Sequence, residues 1–177
     1  MPSGFIMESH RQYMRLALAE AQTALDSGEF PVGCVFVLDD KVIATGRRTN
    51  SSGRHANEID HAEVSTLRRT LQDNPGIDCS RITVYSTMEP CLMCYSTMLL
   101  SGIRNFVWAY EDIMGGGTNL PLEKLNALYA GMKVTIVRHV LRHESLHLFQ
   151  DFFKNYPYWQ DSLLAEYTLA QSTDFAP

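Results

Sequence analysis

Apolar residues at Met14, Leu18, Ala21 and Leu25 recur at helical spacing along Ser9–Ser27, and Gly28 ends the run. The period then changes. "FPVGCVFVL" and "KVIATG" lie on either side of Asp39-Asp40, the pattern of two strands joined by a tight acidic turn. Thr49–Asp60 is polar with Gly53 inside it and predicts a loop. A helix follows over His61–Leu71 and stops at "DNPG". Next come a strand at "RITVYST", a helix over Cys91–Leu100 ending before Gly102, and a strand at "RNFVWAY". "GGG" at 115–117 marks a loop, Pro121 opens a further helix, and "MKVTIVR" predicts the fifth strand. Arg142–Asn155 reads as a helix that buries Leu146, Phe149 and Phe153, joined by Phe152, and Pro157 separates it from a last one. There is no repeat, low-complexity tract or linker. The order αββαβαβαβαα therefore predicts one α/β domain over residues 1–177, a five-stranded sheet with helices on both faces. Its core is expected over about 9–155, with a helical C-terminal segment over about 157–171.

Composition narrows the setting. The 177 residues are 45% hydrophobic and 20% charged, as in globular proteins, and long enough to bury a substantial core. No apolar run approaches the roughly 18 residues of a membrane span, and no export signal is visible, so a cytoplasmic protein with no membrane partner is expected. The net charge is −5, and Gln160–Pro177 holds three acids and no Lys or Arg. Nucleic-acid binders usually carry a basic patch, which lowers the expectation of such a partner without excluding it.

The four cysteines are too few for a disulfide scaffold. Cys34 and Cys79 stand in or beside apolar strands and read as core residues. Cys91 and Cys94 fall on one face of a helix with Pro90 at or just before its first turn, and the positive end of that helix favours thiolates. By itself this C-x-x-C pair suits a metal, a redox couple or two buried thiols. Two histidine clusters could complete a metal site. "HESLH" at 143–147 matches the pattern of zinc peptidases, with Glu166 as a third ligand, but His143 and His147 lie on a face that continues through Gln150 and Lys154. That face is polar throughout and is expected to be solvated, and a peptidase would leave both cysteines without a role. "HAE" at 61–63 fits better. His61, Cys91 and Cys94 make a three-ligand zinc site, and a fourth, open position marks a catalytic rather than a structural metal. Such a metal lowers the pKa of bound water, and Glu63 can carry its proton.

The pair "HAE" and "PCLMC" is the H-x-E…P-C-x-x-C signature of zinc nucleobase deaminases. Over about Arg11–Asn155 the chain resembles this superfamily, and the bacterial tRNA adenosine deaminases most, through "FPVGCVFV", "MEPCLMC", "GGGT" and "HLFQDFFK". The resemblance implies a cytidine deaminase-like fold, three α/β/α layers with a mixed five-stranded sheet. It implies one zinc per chain on His61, Cys91 and Cys94, with Glu63 as proton shuttle and no organic cofactor. Asn50 and the Ala62 amide would bind the base, and Asp112 would lie on a substrate-facing loop; unaided, the residues suggest only a turn for Asn50 and a solvated acid for Asp112. Relatives pair as homodimers, so a homodimer is implied. The reaction implied is hydrolytic deamination with loss of ammonia.

The departures from the pattern concern substrate. Where tRNA adenosine deaminases end in a basic helix, this chain has "NYPYWQDSLLAEYTLAQ", acidic and aromatic. That tail is similar to those of free-base deaminases, in which a tryptophan closes over a small base; Trp159 takes that place, or packs an amphipathic helix. Asp60 stands where a small residue is common, and Arg47-Arg48 lengthen the chain before Asn50. A small-molecule nucleobase or nucleoside such as cytosine, guanine or adenine is therefore expected, with tRNA adenosine as the alternative. An inactive deaminase-fold partner subunit is a remoter reading, disfavoured by the presence of Glu63.

Overall fold

The structure, a computed structural model, describes residues 3–172, with side chains from residue 7; the last acid of the tail, Asp174, lies outside them. Helix α1 (Ser3–Asp26) starts further back than its apolar spacing predicts and buries Met14, Ala17, Ala21 and Leu25. Strands β1 (Gly33–Leu38) and β2 (Lys41–Arg47) form the expected antiparallel hairpin. Asp39 and Asp40 take φ of 49° and 59°, the left-handed pair that a two-residue turn requires and that aspartate tolerates. The order continues α2 (Ala62–Asp73), β3 (Ile82–Met88), α3 (Leu92–Leu100), β4 (Asn105–Tyr110), α4 (Ala127–Ala130), β5 (Thr135–Val137), α5 (Arg142–Asn155) and α6 (Leu163–Leu169).

The sheet order is β2-β1-β3-β4-β5, with β1 antiparallel to β2 and β3, and β3, β4 and β5 parallel. It is the mixed five-stranded sheet expected. Strand β1 is apolar without alternation because both of its faces are covered. On one face Val35, Val37, Tyr85, Val107 and Ala109 pack against Tyr13, Met14 and Ala17 of α1; on the other, Cys34, Phe36, Val84 and Phe106 join Leu67 of α2 and Tyr95 and Met98 of α3. Gly33 lets α1 approach closely: a Cβ there would lie 2.2 Å from the Ala17 carbonyl oxygen. Cys34 and Cys79 are buried, as expected of core residues.

Three expectations need correction. The helix opening at Pro121 is a 3-10 turn, Leu122–Lys124, followed by the single turn of α4. The fifth strand keeps only three residues, because β4 alone pairs with it and the pairing covers Asn105–Val107. The polar face of α5 is not solvated throughout: Gln150 is buried, donating to the Thr168 and Gln171 carbonyls at 3.0 and 2.9 Å under α6. Its apolar residues Leu146, Phe149, Phe152 and Phe153 are buried as expected. No helix among the described residues is long and apolar enough to cross a membrane.

Candidate active site

The crossover from β3 to β4 through α3 puts Pro90 and Cys91 just past the end of β3, where parallel α/β sheets place ligands. His61 and Cys91 are each the residue before the first helical turn, of α2 and α3 respectively, with extended backbone (ψ 149° and 166°). Two helix N-termini thus meet. The extended backbone at His61 also frees its side chain from helical spacing, so that it and Glu63 reach one cavity.

His61 Nδ1 lies 3.5 Å from Cys91 Sγ and 3.4 Å from Cys94 Sγ, and the three ligand atoms lie within 4.8 Å of one another. Tetrahedral zinc with its usual bond lengths separates nitrogen and sulfur ligands by roughly 3.5 Å, so this donor set fits zinc. His143 and His147 join no group of three candidate ligands among the described residues; His147 is exposed and His143 half-buried. Glu63 is buried beside the trio, accepting from the Ser86 hydroxyl at 3.1 Å, with Cys94 Sγ 3.6 Å from its other oxygen.

The electrostatics are those of a site that gathers negative charge. Burial, then the Cys91 charge, raises the Glu63 pKa. Cys91 is lowered to about 4, first by the hydrogen bond from Cys94, with His61 assisting against the effect of burial. Cys94 is pushed well up, by that same bond and then by burial. Burial works to lower His61, but its bond to Cys91 and the Glu63 charge raise it overall.

A cavity of about 160 Å³ opens on this cluster, lined among others by His61, Ala62, Glu63, Cys91, Asp112 and Trp159. Asp112 accepts from the Met114 and Gly115 amides, and burial raises its pKa. Trp159 is 44% exposed and has a φ of 56°. Two candidate site residues, Cys94 and Asn50, are not among its lining residues, and Asn50 Nδ2 donates to Asp60 Oδ2 at 2.7 Å.

Several lining residues escaped sequence reasoning. Buried Glu89 accepts from the Asp112 and Thr118 amides and from the Thr118 hydroxyl, fixing the glycine loop. That loop lies backbone to backbone on the start of α3: Cβ atoms on Gly116 or Gly117 would come within 2.5 Å of the Asp112 carbonyl oxygen or 2.8 Å of Leu92 Cα. Arg48, Glu58 and Tyr158 complete a second wall, for which the Arg47-Arg48 lengthening was the only signal.

The family model of the cytidine and deoxycytidylate deaminase zinc-binding region matches residues 7–110, spanning His61, Glu63, Cys91 and Cys94. The chain belongs to this family. Its members are zinc-type deaminases, hydrolases of C–N bonds, and the chain is an enzyme of this class. Among deaminases of known name, the chain is similar to the tRNA-specific adenosine deaminase of Buchnera aphidicola subsp. Schizaphis graminum. The two are 31% identical over 153 residues, covering 84% of this chain and 98% of that one. The enzyme of the same name from Agrobacterium fabrum is 30% identical over 155 residues, 84% and 96% of the two chains. A solved chain from work on A-to-I editing by tRNA:A34 deaminases at the wobble position superposes with a TM-score of 0.67 and 28% identity, covering 77% and 98%. The guanine deaminase of Nitrosomonas europaea, 20% identical with a TM-score of 0.64 over 80% and 83%, shares the deaminase fold.

Proposed function

We propose that this deaminase removes the exocyclic amine of a nucleobase by hydrolysis, with one zinc ion held by His61 Nδ1, Cys91 and Cys94. The observation that carries the reading is the buried, cavity-facing carboxylate of Glu63 beside a three-ligand cluster with zinc spacing. Zinc, when bound, supplies the Lewis acidity that makes water a nucleophile at neutral pH. Glu63, oriented by Ser86, takes one proton from that water and delivers it to a ring nitrogen, then takes the second from the added hydroxyl and delivers it to the departing amine. Water adds to the amine-bearing carbon, the C–N bond breaks, ammonia departs, and the base leaves with a carbonyl in place of its amine. The Ala62 amide and Asp112 face the bound base on this reading, and Trp159 closes over it.

Two substrates fit this chemistry. Adenosine in a tRNA is favoured by the names of the similar enzymes, and it stands first. A free base or nucleoside is favoured by one feature of this chain: Tyr158, Trp159 and Leu164 of the C-terminal segment form part of the cavity wall. On that second reading the segment acts as a lid. Salt separates the two, because binding an anticodon loop releases counterions from several phosphates and binding a free base does not. Ammonia release from a panel of bases and nucleosides, and inosine formation in tRNA, should be measured at low and moderate salt. Conversion of tRNA adenosine with a steep loss at higher salt supports the first reading; conversion of a small base at a salt-independent rate supports the second. Zinc-loaded protein that does neither refutes the proposed function. The homodimer implied by the family resemblance belongs to this proposal, with the exposed Leu92 and Leu100 of α3 as candidate contacts.

A further inference from the structure

Arg48 lines the cavity yet is only 2% exposed. Its Nη2 donates to the Asn57 carbonyl at 2.5 Å and lies 3.4 Å from Glu58 Oε2. Tyr158 in turn donates its hydroxyl to Glu58, 3.0 and 2.8 Å from the two carboxylate oxygens. The guanidinium is thus anchored at one nitrogen. A second nitrogen, Nη1, is buried and has no hydrogen-bond partner among the described residues. A buried N–H without a partner is rare in a folded protein and points to a partner supplied from outside the chain.

Two further observations say what that partner is. Among the described residues Arg48 is the only Lys or Arg lining the cavity, whereas Glu58, Glu63, Glu89 and Asp112 all contribute carboxylates. A phosphate or other anion would meet those carboxylates, so the group that Arg48 receives is neutral. The second observation is the position of Asn50. Its amide nitrogen donates to Asp60, whose carboxylate also accepts from Asn57 Nδ2 at 2.8 Å, and Asn50 is not among the cavity's lining residues. The asparagine that the family resemblance assigns to the base thus spends one amide N–H on Asp60, while Arg48 lines the cavity.

We propose that Arg48 is a specificity-determining residue: its free Nη1–H donates to a neutral acceptor, a carbonyl oxygen or ring nitrogen, on the nucleobase to be deaminated. The inference rests on the proposed deamination, and it holds for a tRNA-borne or a small substrate alike. Anchoring by Asn57 and Glu58 fixes the donor before the base arrives, which lowers the ordering cost of binding.

The test compares zinc-loaded intact protein with Arg48→Met and with Arg48→Lys, which keeps a cation for Glu58. Each is given cytosine and 4-aminopyrimidine, which lacks the carbonyl, and adenosine and 7-deazaadenosine, which lacks one ring nitrogen. Zinc content, kcat and KM, and calorimetric binding are read in parallel. For whichever parent compound is accepted, the intact protein should lose ~10–100-fold in kcat/KM on its acceptor-deleted analogue, the effect of one buried hydrogen bond to a charged group. Arg48→Met should lose a similar factor on the parent, mostly in KM, and no longer distinguish the two, with zinc unchanged. Arg48→Lys should recover part of the loss. A variant that discriminates as the intact protein does, or that loses zinc and parent activity together, overturns the assignment. Binding of a parent compound that depends on Arg48, without ammonia release from any compound, would sustain the donor role while refuting deamination.

Discussion

His61 and Cys91 occupy positions where Ser, Thr, Asp or Asn would stabilise a helix start by about 1 kcal/mol, and neither makes a capping bond. Stability at these two helix starts gives way to a candidate ligand set, which makes the trio separable from the rest of the fold by mutation. Cys91→Ala and His61→Ala should each lose zinc together with activity, while His143→Ala and His147→Ala keep both, as metal analysis of the purified variants will show. Zinc retained in Cys91→Ala but lost in His147→Ala would reverse the assignment. Glu63 differs in kind because on the proposed function its carboxylate is no ligand. Glu63→Gln should keep zinc and fold but lose ~10²–10⁴ in turnover, since an amide cannot carry the proton. A Glu63→Gln enzyme with near-normal rates would assign the proton transfer to another group.

Among the elements, the end of β4 is tied to the two C-terminal helices through one carboxylate. Glu111 accepts from Arg142 Nε at 2.7 Å and from Nη2 of α5, and from the Tyr167 hydroxyl of α6 at 2.7 Å, with His139 Nδ1 3.5 Å away. Burial works to raise its pKa, but the Arg142 and Tyr167 hydrogen bonds overcome it and hold the group at about 2. A carboxyl held below its ordinary value of 4.5 favours the folded state fully above that pH, and the contribution disappears as pH falls towards 2. Glu111→Gln should therefore destabilise the protein by roughly 1.5–3 kcal/mol at neutral pH. The gap between the two melting temperatures should narrow steadily from pH 6 to pH 3. A gap that stays constant would show that the link acts by shape and not by charge.

For the whole molecule, the C-terminal segment serves the core and the cavity together. Leu164 and Ala165 are buried, Thr168 bonds Tyr110 at 2.9 Å, and Gln150 finds both of its acceptors there, while Tyr158 and Trp159 wall the cavity. None of the three candidate zinc ligands belongs to it. Truncation after Asn155 should thus lower the melting temperature and the activity yet leave zinc content near one per chain. Full activity in the truncated protein would remove the segment from the site, and loss of zinc would show that it supports the ligands.

The hairpin, the five strands and α5 were legible because each depends on a local pattern: a two-residue turn, an apolar run, a helical stripe. The candidate ligand trio, with its spacing and preceding proline, and Glu63 two residues from His61 are sequence-local in the same way. What the sequence could not disclose rests on partners far along the chain. Gln150 is buried because α6 returns over it, β5 is short because only β4 pairs with it, and Arg48 is drawn into the cavity wall by Asn57 and Glu58. Asn50 is tied down in the same way, its amide donating to Asp60 ten residues on. Local spacing determined which chemistry the chain can hold. Tertiary structure decided which donors face the cavity, because the burial and pairing of a polar side chain depend on all the chain that surrounds it.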